Sequence, residues 1–358
     1  LREKCASGRR LLAFVYDKNG NLTAQEDVTG KVTEYRYNLL DQVTEVWDSG
    51  KRLAAYTYNP DGTVRSIKNG NSLYTEYAYD ADKNLTMLKS VLGEETIVEN
   101  HYRYDGNGNR TEKQQKHGTT AYTYDRLNQL VEVNYPDRTE TLFYDRAGNR
   151  TGRVADGVEE RYYYDKRNRL TAQEKNGVHT EFQYDAAGNL VRDDKAAYTY
   201  DVFNRNTRVE TFDGNIQINR YDAEGLRHEM EENGKLVQFI FRGTEVMAEE
   251  TQEEKIRYIR THELLASDAS DEMGSITHVT AGNEILNRYE YDAWGNAEVC
   301  EEQVANRFRF NGQQYDPVSQ QYYLRARFYN PVIARFTQED TYRGDGLNLY
   351  AYCRNNPV

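Results

Sequence analysis

Hydrophobic and polar positions alternate along most of the chain in short runs separated by turns rich in glycine and asparagine. Residues 21–38 show the unit: a run from Asn21 to Asp27, a turn ending at Gly30, and a second run ending at Tyr37. Two such runs around a glycine turn are typical of a β-hairpin. Turn sequences such as Asp105-Gly-Asn-Gly-Asn109 tolerate positive φ and reverse the chain into the next strand. The pattern predicts a long meander of antiparallel strands.

A tyrosine followed by an acid or an amide recurs at an almost constant spacing. The first three steps are 21 residues, the next is 25, and the following four are 20. A fixed period of this kind indicates one supersecondary unit laid down repeatedly, with each copy burying its neighbour. The pairs begin at Tyr16, Tyr37, Tyr58, Tyr79, Tyr104, Tyr124, Tyr144, Tyr164 and Tyr184.

Within the predicted strands the aromatic residues lie two positions apart, as in Tyr35 and Tyr37 or Tyr122 and Tyr124. Side chains at that spacing project from the same face of a sheet. We expect them to form aromatic ladders across strands, each pair contributing roughly 0.2–1 kcal/mol. Because open twisted sheets of many strands rarely persist without curling, we predict an all-β fold. Its antiparallel meander of hairpins would coil into a hollow shell.

Composition adds two expectations. The 358 residues include 31 tyrosines, and the mean hydropathy is -0.95. Tyrosine hydroxyls need water or a partner, so we expect a sheet that is wet on both faces. The formal net charge of -12 argues against nucleic acid or an anionic membrane as a partner. A basic cargo would be compatible with it.

The residue types that bind metals or act as nucleophiles are scattered. Cys5, Cys300 and Cys353 lie too far apart for a ligand cluster, and no paired spacing occurs among the histidines. We therefore predict neither a metal nor a cofactor. The histidines are His101, His117, His179, His228, His262 and His278.

Two turns begin like calcium loops, at Asp80 and Asp105, but both fail further on. Their sixth residues are Leu85 and Arg110 instead of glycine, and a glutamate at the twelfth position is missing. Acids at such turns can instead bind their own backbone. We predict this structural role for Asp80, Asp105, Asp125, Asp145 and Asp165.

The rhythm changes after Tyr221-Asp222, because the next Tyr-Asp pair is Tyr291-Asp292. We predict a repeat wall over 1–225, irregular repeats over 226–305 and a distinct terminal region over 306–358. No apolar run approaches the ~18 residues of a membrane-spanning helix, so we predict no membrane span. The first residues do not form a signal peptide, and we expect the chain to be a fragment of a longer protein.

Four segments carry a resemblance to a known family. Together with the Tyr-Asp repeats, they resemble the YD repeats and the Rhs-associated core of bacterial Rhs proteins, relatives of the C component of Tc toxins and of WapA-like proteins. The resemblance covers essentially the whole chain. The segments are Tyr289-Glu-Tyr-Asp-Ala-Trp-Gly-Asn296, Arg309-Phe-Asn-Gly-Gln-Gln-Tyr-Asp316, Gln321-Tyr-Tyr-Leu-Arg-Ala-Arg-Phe-Tyr-Asn-Pro331 and Ala334-Arg-Phe-Thr-Gln-Glu-Asp340.

The resemblance implies a function. In that family the repeats form a hollow β-shell around a C-terminal toxin, and the core releases the toxin by self-cleavage at an aspartyl protease-like site. It implies three partners: a toxin domain outside this chain, the remainder of the shell, and secretion or delivery machinery. It also implies a secreted or cell-surface location in a bacterium.

The same resemblance assigns two site residues. Asp340 lies at the position of the first family aspartate, and Arg335 at that of a nearby arginine that could orient or charge-balance it. In an aspartate dyad one carboxyl keeps its proton while the other activates water. The alternative is that Asp340 merely caps a turn. Asp345 lies nearby but does not match the motif.

The chain also departs from the family pattern. Glu272 stands where a histidine commonly follows the aspartate, Ala334 replaces a usual glycine, and Thr341 replaces the proline that normally follows the position of Asp340. The sequence stops at Val358, before the family's Asp-Pro-x-Gly motif. We therefore expect at most half of a self-cleavage site, and no cleavage by this chain alone.

Three readings remain open: a toxin-encapsulating shell, an extracellular carbohydrate-binding or adhesin module, and a working self-cleaving protease. The placement of the tyrosines discriminates between the first two. A container encloses one face of its sheet, whereas an adhesin must present its aromatic side chains outward.

Overall fold

The computed structural model describes residues 2–6, 8–261, 264–265, 268–344 and 346–358, with only the backbone at 264–265. His262 and Asp345 lie outside the described residues. Within the described residues, strands account for 57% and helix for 2%. The predicted all-β class and the antiparallel meander are confirmed.

Eighteen strands form the largest sheet, in which each strand pairs antiparallel with the next along the chain. They are β1 Glu3–Ala6, β2 Arg9–Tyr16, β3 Leu22–Glu26, β4 Val32–Tyr37, β5 Val43–Asp48, β6 Lys51–Tyr58, β7 Val64–Asn69, β8 Leu73–Tyr79, β9 Leu85–Leu92, β10 Glu95–Tyr104, β11 Arg110–Gln115, β12 Gly118–Tyr124, β13 Leu130–Asn134, β14 Thr139–Tyr144, β15 Arg150–Ala155, β16 Val158–Tyr164, β17 Leu170–Lys175 and β18 Val178–Glu181.

A second sheet of nine strands continues the meander. It comprises β19 Gln183–Tyr184, β20 Leu190–Arg192, β21 Ala196–Tyr200, β22 Asn206–Thr211, β23 Ile216–Tyr221, β24 Arg227–Glu232, β25 Lys235–Arg242, β26 Glu245–Glu250 and β27 Lys255–Arg257.

Three smaller sheets follow. They comprise β28 Ile259–Arg260 and β29 Leu264–Leu265; β30 Asp268–Ser270, β31 Ile276–Ala281, β32 Glu284–Tyr291 and β33 Ala297–Glu302; and β34 Gln314–Asp316, β35 Gln321–Tyr323, β36 Phe328–Asn330 and β37 Arg335–Phe336. Two short turns with 3-10 hydrogen bonding, Phe310–Gly312 and Cys353–Asn355, are the helical elements of the described residues, and the second has positive φ at all three residues.

The acid of each repeat organises the turn that follows its strand. In the turn between β10 and β11, Oδ1 of Asp105 accepts hydrogen bonds from the backbone N–H of Asn107 at 2.8 Å and of Asn109 at 2.9 Å. Such bonds satisfy turn donors that no strand partner can reach. Oδ1 accepts two backbone N–H groups in the same way at Asp80, Asp125, Asp145 and Asp165. The predicted structural role of these acids is confirmed.

The repeat tyrosines use their hydroxyls inside the sheet. The Tyr124 hydroxyl donates to the carbonyl oxygen of Arg110 at 2.7 Å, and the Tyr144 hydroxyl to that of Leu130 at 2.9 Å. The tyrosine two positions earlier is buried: Tyr122 is 9% exposed. The expectation of a sheet wet on both faces is therefore wrong, because the protein's own carbonyl groups replace water as hydroxyl partners. The same bond recurs at Tyr37, Tyr58, Tyr164 and Tyr221.

The chain divides into two compact units, and each combines early repeats with later segments. Unit 1 comprises Leu1–Asn100, Leu236–Tyr289 and Cys300–Asn306. Its core includes Tyr35, Val46 and Ile67 of the repeats together with Ile259. The described later segment therefore covers the aromatic face of these hairpins.

Unit 2 comprises His101–Lys235, Glu290–Val299 and Arg307–Val358. One of its clusters packs repeat residues such as Leu130 against Trp294 and Ala334. A second cluster packs repeat residues such as Leu170 against Ile333. The boundaries near 225 and 305 refer to changes in sequence rhythm, and they stay a prediction.

Candidate functional site

Asp340 follows β37 in unit 2 and lies beside residues 347–356, which we call the terminal segment. Its backbone N–H donates to the carbonyl oxygen of Leu349 at 3.0 Å. Its side-chain Oδ1 accepts from the backbone N–H of Tyr342 at 2.9 Å. Asp340 therefore does cap a turn. That contact occupies one carboxylate oxygen and leaves the other for a second partner.

The second partner is Arg327, just before β36. Its Nη2 lies 2.6 Å from Oδ2 of Asp340, with both side chains about one-fifth exposed. Its Nη1 donates to the carbonyl oxygen of Leu349 at 3.0 Å, and its guanidinium stacks 3.6 Å from the ring centre of Phe336. A guanidinium held by a ring and a carbonyl group has little freedom to move. Arg327 thus fixes both the position and the charge balance of Asp340.

Arg335 occupies a different environment. It is 4% exposed, and its Nη2 donates to the carbonyl oxygen of Asn168 at 2.6 Å. Its guanidinium lies 4.7 Å from the ring centre of Tyr164 and 5.2 Å from that of Tyr350. Among the described residues no ion pair joins Arg335 to Asp340. Charge balance at Asp340 comes from Arg327, and the contacts of Arg335 anchor it to a repeat turn and to two tyrosine rings.

Asp340 and Arg327 line a pocket of about 680 Å³ in unit 2. Asp340 is the one acid among the described lining residues, whereas Arg146, Arg327 and Arg354 are basic. The remaining lining residues are Leu127, Gln129, Ala147, Gly148, Phe336, Tyr342, Gly346, Leu347, Asn348, Leu349, Ala351, Tyr352, Cys353 and Asn355. The pocket thus presents one carboxylate in basic surroundings, which suits an acidic or polar ligand better than a cation.

Two further side chains of the pocket, the Tyr352 hydroxyl and the Cys353 thiol, have raised pKa values. Burial raises the pKa of the Tyr352 hydroxyl, and its ring stacks on Tyr329 at 3.9 Å between centres. Desolvation also raises the pKa of the Cys353 thiol. The thiolate is the reactive form of cysteine, so the Cys353 thiol is not activated as a nucleophile. Acid–base chemistry in this pocket would depend on Asp340.

A departure from the family pattern has a structural counterpart. Ala334 has a φ of 55°, a left-handed conformation that favours glycine, and its side chain packs in the cluster with Trp294. The alanine therefore retains the backbone path of a glycine and adds a buried methyl group. Glu272 is another position at which the chain departs from the family pattern. The residue before it, Asp271, caps a turn by accepting hydrogen bonds from the backbone N–H groups of Met273 and Ser275.

No group of three or more metal-ligating side chains occurs within the described residues. Burial, with a smaller contribution from Arg288, lowers the pKa of His278 to about 4, so this imidazole is neutral at physiological pH.

The described residues contain no helix that is long and apolar enough to cross a membrane.

Sequence reasoning named Asp340 but missed Arg327. Arg327 lies within the family-like segment Gln321–Pro331, so the sequence did offer this arginine as a candidate partner. Two other arginines, Arg325 and Arg335, lie near it along the chain. The choice among them depends on which guanidinium faces Asp340 after folding, and no local pattern encodes that direction.

Comparison with known proteins places this geometry in context. Residues 109–358 match the Teneurin YD-shell family, and residues 16–57 match the RHS repeat. The chain is 31% identical over 301 residues to the tRNA3(Ser)-specific nuclease WapA of Bacillus spizizenii and 31% identical over 305 residues to the tRNA nuclease WapA of Bacillus subtilis. Each alignment covers 76% of this chain and 11% of the relative, so the chain spans a small part of these proteins.

Two solved structures share the fold. The crystal structure of TcdB2-TccC3-Cdc42 matches with a TM-score of 0.82 at 18% identity, over 97% of this chain and 21% of that chain. The Tc holotoxin pore of Photorhabdus luminescens matches with a TM-score of 0.72 at 18% identity, again over 97% and 21%. The family match extends over more than half of the chain and includes Asp340 and its pocket. The chain therefore belongs to the Teneurin YD-shell family and carries RHS repeats at its amino-terminal side.

Proposed function

We propose that this chain is part of a toxin-encapsulating shell whose terminal region takes part in self-cleavage. The observation that carries the proposal is the pocket in which Asp340 is capped, ion-paired to Arg327 and bordered by the terminal segment. Membership of the YD-shell family supports the container. The nuclease names of the curated relatives support a toxic cargo. Because the chain spans 11% of those relatives, cargo and partners belong to the longer protein.

The container reading accounts for the placement of the tyrosines. Apart from exposed rings such as Tyr16, Tyr74 and Tyr163, most repeat tyrosines are buried or half-buried, and many of their hydroxyls are bound to backbone carbonyl groups. Rings used in this way stabilise a wall and cannot stack on sugars, so no observation favours the carbohydrate-binding reading. We propose that the wall curves around its cargo. Small-angle scattering that fitted separate beads on a flexible string would refute this.

The partners in this proposal are a toxin domain, the remainder of the shell and delivery machinery. The formal net charge of -12 is suited to a basic cargo. We place the protein outside the bacterial cell or on its surface, in line with the Tc toxin structures that share the fold.

Self-cleavage needs a second carboxyl group, because the described pocket residues supply one. Asp340 is ion-paired with Arg327 and would supply the carboxylate that activates water. The resemblance implies that an Asp-Pro-x-Gly motif supplies the second acid, which would donate a proton to the leaving amide. Asp340 without such a second acid would not cleave.

The test compares this chain with a longer natural chain that continues through an Asp-Pro-x-Gly motif. The longer chain should appear as two fragments on a gel, and this chain as one band. Asp340→Asn keeps the size of the side chain but removes the titrating group, so cleavage should stop while the protein still folds. Asp345→Asn, which does not match the family motif, is the matched control and should leave cleavage intact.

Arg327→Gln should abolish or strongly slow cleavage as well, because it removes the ion pair from Asp340. Circular dichroism would establish that both variants keep their strands. An Asp340→Asn protein that is still cut at the usual site would show that Asp340 only caps its turn.

A further inference from the structure

Three turns of unit 2 share a glycine–asparagine pair, and we call them together the asparagine rim: Gly108–Asn109, Gly148–Asn149 and Gly188–Asn189. In each turn the asparagine donates through Nδ2 twice. Asn109 donates to Asp105 of its own turn and to Asn128 of the next turn, both at 2.9 Å. Equivalent bonds run from Asn149 to Asp145 and Asn168, and from Asn189 to Asp185 and Asn204.

These bonds determine the orientation of each rim amide. A carboxamide has two N–H donors and one oxygen acceptor. Both donors of Asn109 and of Asn149 are used within the turns, so a flip of the amide would lose two hydrogen bonds. Each rim asparagine therefore offers its Oδ1 as an acceptor in a defined direction.

The terminal segment, residues 347–356, uses these acceptors. Nδ2 of Asn348 donates to Oδ1 of Asn149 at 2.8 Å, and Nδ2 of Asn356 donates to Oδ1 of Asn109 at 2.9 Å. The carbonyl groups of the rim glycines are used as well. Asn355 donates to Gly148 and the Tyr350 hydroxyl donates to Gly188, both at 2.8 Å. All three turns of the rim therefore contact the same short segment.

We propose that the asparagine rim is a docking surface for the chain's own terminal segment, which it recognises through carboxamide and hydroxyl donors and whose register it sets. The spacing fits this role. The turns at Asn109 and Asn149 are four strands apart, or about 19 Å at ~4.8 Å per strand. Asn348 and Asn356 can reach up to about 27 Å apart at ~3.4 Å per residue. The segment is long enough to contact both turns, with slack.

An unusual turn shortens the segment between Asn348 and Asn356. Cys353, Arg354 and Asn355 have φ values of 46°, 52° and 65°. Three consecutive left-handed residues without glycine are unfavourable and persist where the surroundings over-determine them. The docking bonds of Asn355 and Asn356 lie at the end of this turn. Docking on the rim thus accounts for a conformation that the local sequence disfavours.

Docking has a consequence for Asp340. The carbonyl oxygen of Leu349, next to Asn348, accepts from the Asp340 backbone N–H and from Nη1 of Arg327, both at 3.0 Å. Register on the rim therefore sets the position of the ion pair, which makes Asn348 a positioning residue. This consequence rests on the proposed function, whereas the docking does not.

The test is hydrogen exchange in the full chain, followed in peptides from residues 347–358. Asn348→Asp retains the Oδ1 that caps the Tyr350 N–H at 3.1 Å, but it replaces a donor by an oxygen that faces Oδ1 of Asn149. Asn356→Asp does the same at Asn109. Each substitution should speed exchange of the segment by about fivefold or more, the value of one neutral hydrogen bond, and the double variant should show a larger effect.

Asn233→Asp is the matched control, because Asn233 also caps a backbone N–H through Oδ1, that of Ile216, and donates through Nδ2 to another asparagine, Asn215, outside the rim. It should leave exchange of the terminal segment unchanged, and the Asn348→Asp and Asn356→Asp variants should leave exchange in β21 to β23 unchanged. Unchanged exchange of the terminal segment in both Asn348→Asp and Asn356→Asp would overturn the proposal, as would an equal change in Asn233→Asp.

Should the double variant fail to fold, Tyr350→Phe provides a milder test, because it removes only the hydroxyl bond to Gly188. Its terminal segment should exchange faster by a similar factor, and no change would count against docking. The measurement reports docking in this 358-residue chain, where no cleavage is expected. An inert Asp340 would therefore leave the result standing.

Discussion

Arg227 and Asp316 form a bidentate ion pair in which neither side chain is exposed to solvent. Nε2 of Gln217 also donates to Asp316 at 2.8 Å, and the guanidinium lies 4.3 Å from the ring centre of Tyr323. The pair joins β24, at the end of the regular repeats, to β34 of the terminal region. Both belong to unit 2, so this contact helps to hold the terminal region on its repeats.

Removal of one charge from this pair should be costly. Asp316→Asn leaves a buried guanidinium without its counter-charge, so we expect a loss of about 3–5 kcal/mol in the free energy of unfolding. Urea denaturation measures it. The exposed pair of Arg208 and Glu210 provides the control, and Glu210→Gln should cost about 0–1 kcal/mol. Equal losses in the two variants would contradict the assigned role of the buried pair.

The repeat tyrosines should contribute through their hydroxyls. Tyr124→Phe removes the bond to the Arg110 carbonyl group and should cost about 1 kcal/mol, because a half-buried acceptor loses its partner. Tyr163 is exposed and donates to Glu174. Tyr163→Phe should therefore change stability by less than about 0.5 kcal/mol. Thermal unfolding of the two variants tests this, and a larger loss at Tyr163 would argue against it.

Stability should fall in acid because of Glu160. Burial alone would raise the pKa of this carboxyl, but hydrogen bonds from Lys175 and Tyr162 and the charge of Arg153 lower it from 4.5 to about 2. A folded-state pKa below the unfolded one stabilises the protein above pH 4.5, and this contribution is lost as the pH falls toward 2.

The measurement is the difference in the free energy of unfolding between the wild type and Glu160→Gln as the pH is lowered. The advantage of the wild type should be constant near neutrality and shrink below pH 4.5. Glu159→Gln removes an exposed carboxylate from the same strand and serves as the matched control. The same pH dependence in both variants would rule out the buried cluster as its source.

Two glycines of the asparagine rim should differ in their tolerance of alanine. Both have positive φ, so both variants carry the left-handed cost of about 1–2 kcal/mol. A Cβ at Gly188 would lie 2.6 Å from the Tyr350 hydroxyl and 2.7 Å from Oε2 of Glu339, whereas at Gly108 it would meet no described atom within 4 Å. Gly188→Ala should therefore unfold at a clearly lower denaturant concentration than Gly108→Ala. Equal midpoints would mean that the terminal segment yields to the added methyl group.

The turns show which hydrogen bonds a local sequence pattern can predict and which it cannot. The role of Asp105 was predictable, because its bonds join it to residues two and four positions away. The second role of Asn109, as an acceptor for Asn356, was not predictable. Its partner is 247 positions away, and the identical acceptors at Asn149 and Asn189 make the sequence ambiguous.

The tyrosine faces show a different limit. The spacing of Tyr122 and Tyr124 correctly placed both rings on one face, but composition suggested that this face would be wet. A hydroxyl is compatible with burial when a carbonyl group lies in reach, as Arg110 does for Tyr124. Which carbonyl group lies there depends on the pairing of β11 and β12 with their neighbours.

At the candidate site the sequence motif pointed to Asp340, but the arginine that pairs with it depends on the fold. Asp340 and Arg335 were both assigned from the family resemblance, each by its position in the segment from Ala334 to Asp340. A strand sends neighbouring side chains to opposite faces, and Arg335 packs on Tyr164 and Tyr350. Arg327 comes from another strand connection and reaches Asp340 from there.

Strand length, turn type and the aromatic face all follow from contacts within about one repeat, so the periodic pattern of residues was sufficient to specify them. The burial of Arg227 with Asp316, the pairing of Arg327 with Asp340 and the docking of residues 347–356 involve segments that meet after the chain has folded back on its own repeats. A repeating sequence offers the same surface many times. Long-range packing chooses among these copies, because the observed arrangement buries the aromatic residues Tyr350 and Tyr352 and gives both hydroxyls a hydrogen-bond partner.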